Sequence, residues 1–249
     1  MKFSIIIATK NAAPYLRRCL NSVLSQEYGI YEIIIQDCAS QDGTSEILEE
    51  FKGRIDLRSE KDSGVYDAWN RALARASGDW AIFLGADDCF AACDVLMQAR
   101  AYLARMPEYT DFAYGALLTG RNAQIRTMID RTEAEVYRIF LSSIGFPFPA
   151  TFSRLAALKK YAFDARYRIA GDFDMAARAV RSDNIARLPL AVSYMEEGGL
   201  STNKKFRRLL LAERSRVIRT HILPKAAMLL QTHLEYLRME GAAAPHDTP

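Results

Sequence analysis

Residues 65–88 have the sequence VYDAWNRALARASGDWAIFLGADD, which contains a helix, a strand and an acidic loop in succession. Residues 65–76 are predicted to form a helix, and the short apolar run at residues 80–84 is typical of a buried strand. The strand ends at Gly85-Ala86-Asp87-Asp88. This order indicates one unit of an α/β fold, in which ligands bind beyond the carboxyl ends of the strands.

The same alternation precedes this stretch. Strands are predicted at residues 3–8, 31–36 and 55–59, and helices at residues 14–26 and 45–51. Strands that alternate with helices through short connections favour a mostly parallel sheet covered by helices on both faces. We therefore expect an α/β fold with a Rossmann-like, mostly parallel sheet flanked by helices.

The pattern is looser after residue 118. The predicted elements are a strand at 112–118, a short helix at 132–141, an irregular apolar segment at 144–152, a helix at 171–181 and a late edge strand at 187–195. Residues 203–239 are predicted to be helical with an interruption at Pro224. We expect one domain over residues 1–202 and a basic helical extension over residues 203–249.

Composition limits the class of protein. The chain has 249 residues, 33 Lys and Arg against 30 Asp and Glu, and 50% hydrophobic residues, which excludes a disordered or collagen-like protein. A net charge of +3 gives no indication of nucleic-acid binding. No apolar run approaches the ~18–20 residues of a membrane helix, and no signal peptide is predicted. Four cysteines without a C-x-x-C pair indicate neither zinc nor a disulfide framework. We expect a soluble, cytoplasmic protein.

Polar clusters follow all four early strands. They are Thr9-Lys10-Asn11, the segment from Asp37 to Thr44, the segment from Glu60 to Gly64, and Gly85 to Asp88. If the strands are parallel neighbours, these loops meet at one edge of the sheet. Neither G-x-x-x-x-G-K-[ST] nor G-x-G-x-x-G occurs, so an anionic ligand would need a metal ion as intermediary. Asp87 and Asp88 are hard oxygen ligands suited to Mn²⁺ or Mg²⁺.

Each cluster also has a purely structural interpretation. Asp87 or Asp88 could cap the following helix, and Asp42-Gly43-Thr44 could be a turn followed by a cap. For any one cluster taken alone, the structural interpretation is favoured over a functional one. Four acidic loops at one edge of one sheet favour a binding site.

Several segments resemble the family 2 glycosyltransferases, which have the GT-A fold. FSIIIATKNAAPYLRRCLNSVLSQ at residues 3–26 is similar to the opening strand and helix of the family, and IIIQDCASQDGT at residues 33–44 to its nucleotide loop. EKDSGVYDAWNRALARASGDWAIFLGADD at residues 60–88 resembles a subgroup with a D-x-G-x-Y-D-A-x-N segment. IAGDFDMAAR at residues 169–178 and EEGGLST at residues 196–202 are similar to later family segments.

The resemblance implies a role for each matching residue. Asp172 would be the general base, and Asp88, with Asp87, would hold Mn²⁺ or Mg²⁺ on the donor diphosphate. The donor nucleotide-sugar, usually a UDP-sugar, would meet six residues: Thr9, Asn11, Asp37, Asp62, Asn70 and Asp87. The chain departs from the family at Gly85 and Gly171, where an acidic residue is usual. Relatives in the subgroup often carry a histidine just before a Pro-Ala-Thr-Phe-like segment, and this histidine is missing from the corresponding residues 148–152.

These features predict a metal-dependent, inverting glycosyltransferase acting on a glycan or lipid-linked acceptor in polysaccharide biosynthesis. A base opposite the leaving group gives inversion. Asp172 is preferred because it lies at the start of the predicted helix, where the site should open, whereas Asp174 is expected to pair with Arg178 at i+4. One rival is a sugar nucleotidyltransferase, although only Lys10 is present where a basic phosphate loop would be needed. The other is a non-catalytic glycan-binding or scaffold module, favoured by Gly85 and Gly171.

The extension carries a separate signal. Residues 200–249 hold nine Lys and Arg against four Asp and Glu, which leaves 24 against 26 in the rest of the chain. The default interpretation is a solvated helix that packs on the domain. The alternative is a basic surface attracted to anionic lipid, which would place the protein peripherally at the inner face of the membrane.

Overall fold

The first four strands of the computed structural model lie side by side and run in the same direction. The structure describes residues 1–132, 134–136, 146–181, 183–199, 203–227 and 231. The strands are β1 Phe3–Thr9, β2 Tyr31–Asp37, β3 Asp56–Ser59, β4 Trp80–Gly85, β5 Cys89–Phe90, β6 Phe112–Arg121, β7 Gln124–Ile129, β8 Thr151–Arg154 and β9 Ile185–Glu196.

The helices cover this sheet on both faces. They are α1 Ala13–Leu24, α2 Thr44–Glu50, α3 Val65–Arg75, α4 Val95–Leu103, α5 Leu155–Tyr161, α6 Gly171–Ala179 and α7 Arg207–Val217. Short 3₁₀ turns occur at Phe148–Ala150 and Lys204–Phe206, and a π-helical turn at Ile218–Ile222.

The sheet order in the described part of the chain is β3-β2-β1-β4-β8-β6-β9-β5, with β7 paired to β6. The pairs β1–β2, β1–β4 and β2–β3 are parallel, and Thr9 lies in register with Asp37. Ile5, Ile6 and Ile7 are all fully buried because both faces of β1 are covered, which explains the continuous apolar run in the sequence. The predicted parallel α/β architecture is confirmed.

The early elements agree with the predicted bounds to within two residues, whereas two later predictions about the sheet were wrong. The end of the segment 144–152, expected to be irregular, instead begins β8, which pairs antiparallel with both β4 and β6. Strand β9, expected at the edge of the sheet, lies between β6 and the two-residue strand β5, which forms the edge. Strands β8 and β5 have only four and two residues, next to a proline and an acidic loop respectively, so they are too short to show an alternating pattern in the sequence.

Residues 134–136 are helical, as predicted, but residues 137–141 of the same expected helix lie outside the described residues. The expected domain boundary at residue 202 also falls outside them. The extension is helical through residue 227, so the predicted interruption at Pro224 was wrong: the helix continues through the proline, and a π-helical turn lies just before it. Proline has no N–H and clashes with the carbonyl four residues earlier, which favours such a widened turn.

Helix α7 packs against α6 and the central core, with Val217 fully buried and Leu210 partly buried there. Within the described residues, no helix combines the length and apolar character needed to cross a bilayer.

Candidate active site

A cavity of about 700 Å³ opens beyond the carboxyl ends of β1 and β4. Its polar lining includes six of the site residues predicted from the sequence: Thr9, Asn11, Asp62, Asp87, Asp88 and Asp172. Trp69 and Phe148 supply apolar wall, and Phe206 and Leu209 reach it from the C-terminal extension. The cavity therefore has acidic groups from the strand ends, and a separate carboxylate on α6.

The acidic loop after β4 contains two carboxylates in different surroundings. Asp88 is buried, and its carboxylate accepts hydrogen bonds from the backbone N–H of Gly85 at 2.9 Å and of Glu196 at 3.3 Å. Burial, and then the neighbouring Asp87 charge, raises the pKa of Asp88 to about 7. Asp87 is half-buried, and burial raises its pKa as well.

A long-range network holds this loop in place. Arg18 lies on α1, and its Nη2 atom donates hydrogen bonds to the backbone oxygen of Asp87 at 2.7 Å and to Glu196 Oε2 at 2.8 Å. Glu196, at the end of β9, is buried and also accepts from the Tyr194 hydroxyl at 3.2 Å and from the Asn122 backbone N–H. Arg18 therefore neutralises Glu196 and leaves the Asp87 carboxylate without a guanidinium partner.

The loop is suited to a divalent cation. Among the described residues, no other residue donates a hydrogen bond to the Asp87 carboxylate, although burial disfavours its charge. A cation would relieve that cost, with Asp88 adjacent. In the described part of the chain no three His, Cys, Asp or Glu residues cluster for a metal, so most ligands would come from substrate and water.

The end of β1 provides a polar floor. The Thr9 hydroxyl is buried, and it has no hydrogen-bond partner in the described structure. Asn11 has a φ of +50°, a left-handed conformation that asparagine tolerates, and its Oδ1 accepts from the Gln41 N–H at 3.0 Å. Both residues line the cavity, where the Thr9 hydroxyl is buried beneath the surface and Asn11 shapes the loop.

Two of the predicted donor-binding residues do not line the cavity. The Asp37 carboxylate is buried and accepts from the Ser40 N–H at 3.0 Å and the Ser59 hydroxyl at 2.6 Å. Asn70 is bonded in both directions to the backbone of Phe163, at 2.7 and 2.9 Å. Both side chains fix the loops behind the cavity wall.

Asp62 does line the cavity, and its Oδ1 accepts from the Gly64 N–H at 3.0 Å. Gly64 has a φ of +139°, which side chains rarely adopt, so this turn needs glycine. The turn leads into α3, which carries Tyr66 and Trp69.

Asp172 lies in the first turn of α6 and faces the cavity. The Asp172 Oδ1 atom accepts a hydrogen bond from the Phe173 backbone N–H at 2.8 Å and lies 3.2 Å from the Tyr66 hydroxyl. Burial raises the pKa of Asp172, while these two donors partly offset the rise. No arginine or lysine in the described part of the chain is bonded to Asp172, and a carboxylate with a raised pKa in a cavity is suited to accept a proton.

Asp174 occupies a different environment. Its carboxylate pairs with Arg178 at 2.9 Å and lies 3.1 Å from His221 Nε2, which confirms the predicted i+4 pair. It lines a second cavity of about 370 Å³, away from the acidic loop. The chain therefore separates a structural carboxylate from one that is available to substrate.

The comparisons with known proteins agree with this geometry. A model described as Glycosyl transferase family 2 matches residues 4–111. A PGL/p-HBAD biosynthesis glycosyltransferase of Mycobacterium bovis (strain BCG / Pasteur 1173P2) is 31% identical over 207 residues, covering 80% of this chain and 78% of that relative. The chain belongs to glycosyltransferase family 2.

Solved glycosyltransferases have the same fold. The Staphylococcus aureus TarS 1–349 structure in complex with UDP has a TM-score of 0.68 at 22% identity, covering 90% of this chain and 66% of that one. Glucosyl-3-phosphoglycerate synthase of Mycobacterium tuberculosis, in complex with Mn²⁺, UDP and phosphoglyceric acid, has a TM-score of 0.62 at 17% identity and covers 87% of this chain and 78% of that one. These neighbours establish the GT-A fold for this family 2 glycosyltransferase.

The structure explains the two glycines that depart from the family pattern. A Cβ at Gly85 would lie 2.7 Å from Asp87 Oδ1 and 2.8 Å from Asp88 Oδ2. A Cβ at Gly171 would lie 2.6 Å from the Tyr66 ring. In this family 2 chain, each glycine makes room for a neighbouring side chain of the site.

Sequence reasoning missed several residues that support the site. Arg18 and Glu196 hold the acidic loop, and Tyr66 contacts Asp172 although 106 residues separate them. The signal for Tyr66 was present, because it lies inside the D-x-G-x-Y-D-A-x-N segment, but nothing local indicated its partner. Arg18 looked like an ordinary residue on the polar side of α1.

Proposed function

We propose that this family 2 glycosyltransferase transfers a sugar from a UDP-sugar to a hydroxyl of a glycan or lipid-linked acceptor, with inversion at the anomeric carbon. One observation carries the proposal: a single cavity holds an acidic loop at the strand ends and a separate carboxylate, Asp172, on α6. The first suits a nucleoside diphosphate with its cation, and the second suits an acceptor hydroxyl.

The donor end would bind the nucleotide. Thr9, Asn11 and Asp62 line the cavity beside the loop, whereas Asp37 and Asn70 act from behind it by fixing the loops. UDP is bound in the TarS and glucosyl-3-phosphoglycerate synthase structures, which supports a uridine donor.

Asp87, with Asp88 behind it, would hold Mn²⁺ or Mg²⁺. A bound divalent cation supplies charge stabilisation to a departing diphosphate. Both residues line the cavity, but the Gly85 and Glu196 N–H groups bind the Asp88 carboxylate, whereas no other described residue donates a hydrogen bond to the Asp87 carboxylate. Glucosyl-3-phosphoglycerate synthase was solved with Mn²⁺, which supports metal use.

Asp172 would take the proton of the acceptor hydroxyl as that oxygen attacks the anomeric carbon. A hydroxyl is a poor nucleophile, and a base within hydrogen-bond reach removes its proton as the bond forms. Tyr66 and the Phe173 N–H orient the carboxylate without neutralising it. A base that binds the acceptor on the side away from the leaving group gives inversion.

The test is a screen of nucleotide-sugars for turnover, with Mn²⁺ added or with EDTA, using lipid-linked and free glycan acceptors. We expect transfer from one UDP-sugar that depends on the cation, and product of inverted configuration by NMR. Synthesis of a nucleotide-sugar from a sugar phosphate would instead identify a nucleotidyltransferase. Glycan binding without hydrolysis or transfer of any donor would identify a binding module.

The extension gives one observation in favour of membrane contact. Leu211 and Leu223 are 53% and 54% exposed, and exposed basic residues surround them on the same helical segment, namely Lys204, Lys205, Arg207, Arg208, Arg216 and Arg219. Exposed apolar and basic side chains together suit the interface of an anionic bilayer. Sedimentation with phosphatidylglycerol vesicles should capture the protein, and neutral vesicles should not.

A further inference from the structure

Glu213, on α7, binds the segment that leads into α6. Its Oε1 accepts from the Arg168 N–H at 2.8 Å, and its Oε2 accepts from the Ile169 and Ala170 N–H groups, both at 2.9 Å. One side chain from the C-terminal extension therefore satisfies three consecutive backbone donors that are more than forty residues away in the sequence.

These donors lie at the entrance to α6: Arg168 and Ile169 precede the helix, and Ala170 is its N-cap residue. The N–H groups at the beginning of a helix have no acceptor within the helix, and a negative charge there is favoured by the helix dipole. Hydrogen bonds to a carboxylate are also stronger than those between neutral groups. Helix α6 has no side-chain cap of its own at Ala170. Glu213 does not replace that cap, but from another helix it places a negative charge at this end of α6 and holds the chain that enters it.

The clamped segment touches the proposed base in two ways. Ala170 is two residues before Asp172, so fixing its N–H fixes the first turn of α6. The carbonyl of Ile169 lies 2.6 Å from the Tyr66 hydroxyl, which is also 3.2 Å from Asp172. Movement of the clamped segment would therefore move both Asp172 and the hydroxyl that orients it.

The extension also contacts the other end of α6. Lys225 Nζ donates to the backbone oxygen of Ala177 at 2.7 Å, in the last turn, where a positive charge is favoured. This contact lies far along the helix from Asp172. It provides a matched control, because it ties the same extension to the same helix without touching the base.

We infer that Glu213 is a positioning residue for Asp172, so that helix α7 contributes to catalysis through this one side chain. This inference rests on the proposed function of Asp172. Its alternative is that Glu213 only stabilises the fold, in which case its loss would lower the amount of folded protein and leave each folded molecule as active as before.

The experiment compares Glu213→Ala, Glu213→Gln and Lys225→Met in the full-length protein. A displacement of a catalytic group by about 1 Å can cost about 100-fold in rate, so we expect kcat of folded Glu213→Ala to fall by about 10- to 100-fold. The Kd for UDP should not change. Glu213→Gln keeps an oxygen for the Ile169 and Ala170 donors and should recover most of kcat. Lys225→Met should keep the wild-type kcat.

Hydrogen–deuterium exchange gives a readout that needs no activity. Glu213→Ala should speed exchange at the amides of residues 168–173, and Lys225→Met should not. Unchanged exchange there, or an unchanged kcat in folded Glu213→Ala, would overturn the inference. If exchange changes as expected but wild type transfers no sugar, the proposed function fails while the positional role of Glu213 stands.

Discussion

The two ends of the cavity are built in different ways. The side proposed to bind the nucleotide, called the nucleotide side below, consists of loops that follow neighbouring parallel strands. Thr9, Asp62 and Asp87 meet there because the sheet brings strand ends together. The base side depends on contacts between distant segments: Tyr66 with Asp172, and Glu213 with the start of α6. The first side is set by sheet topology, and the second by tertiary packing.

This difference separates two kinds of failure. A change on the nucleotide side should act on donor binding, because its carboxylates are the groups proposed to face the donor and its cation. A change on the base side should act on the rate of transfer or on stability, because α6 is held by the core and by the extension. Each of the following predictions tests that division.

The largest expected effect is at Asp172. Asp172→Asn keeps the shape of the side chain but cannot accept a proton, so transfer should fall by about 10²- to 10⁴-fold, the usual worth of general base catalysis. The measurement is kcat with saturating donor and acceptor. A variant that retains wild-type kcat would show that Asp172 is not the base.

Asp174 should affect stability. Asp174→Ala leaves Arg178, which is partly exposed, without its carboxylate, and breaking such a pair should cost about 2–3 kcal/mol, less than for a fully buried pair. Urea denaturation followed by circular dichroism would measure the free energy of unfolding. The protein that remains folded should transfer sugar normally, and inactivity in folded protein would assign the base to Asp174 instead.

The two glycines provide a matched pair across the division. Gly171→Ala pushes a methyl group into the Tyr66 ring, and Gly85→Ala pushes one against the Asp87 and Asp88 carboxylates. Overpacking of this kind costs about 1–3 kcal/mol. We expect Gly171→Ala to lower kcat and stability, and Gly85→Ala to raise the Kd for UDP. Titration calorimetry would measure the Kd for UDP, and steady-state kinetics would measure kcat, for both variants. A raised Kd for UDP in Gly171→Ala, or a lowered kcat with unchanged Kd in Gly85→Ala, would contradict the division.

Sequence reasoning succeeded where the structure is local. The parallel sheet, the bounds of the early elements and the Asp174–Arg178 pair followed from periodicity and spacing. Thr9, Asp62 and Asp87 were placed together correctly because strand ends of a parallel sheet meet at one edge.

The sequence could not show which partner a side chain finds through tertiary folding. Asp37 and Asn70 were predicted to bind the donor from their positions, and their hydrogen bonds to Ser59 and Phe163 could not be predicted because they depend on how the loops close. Strand β8 and the role of Glu213 also depend on packing between segments that lie far apart in the chain. No local pattern encodes such contacts.

The smallest expected effect is a shift in the pH profile. Because burial raises the pKa of Asp172, kcat should fall with decreasing pH at a value above the ordinary aspartate range of about 3.9. The Tyr66 hydroxyl lowers that pKa, so Tyr66→Phe should raise it and move the acid limb of kcat to higher pH, by less than about one unit. A shift to lower pH would contradict the assignment.

Binding of UDP to three proteins tests the division of the cavity most directly. Calorimetry with and without Mn²⁺ would compare wild type, Asp87→Asn and Asp172→Asn. We predict that wild type and Asp172→Asn bind UDP with the same Mn²⁺-dependent affinity, and that Asp87→Asn loses the Mn²⁺ dependence and most of the affinity. Wild-type affinity in Asp87→Asn, or loss of UDP binding in Asp172→Asn, would contradict the account.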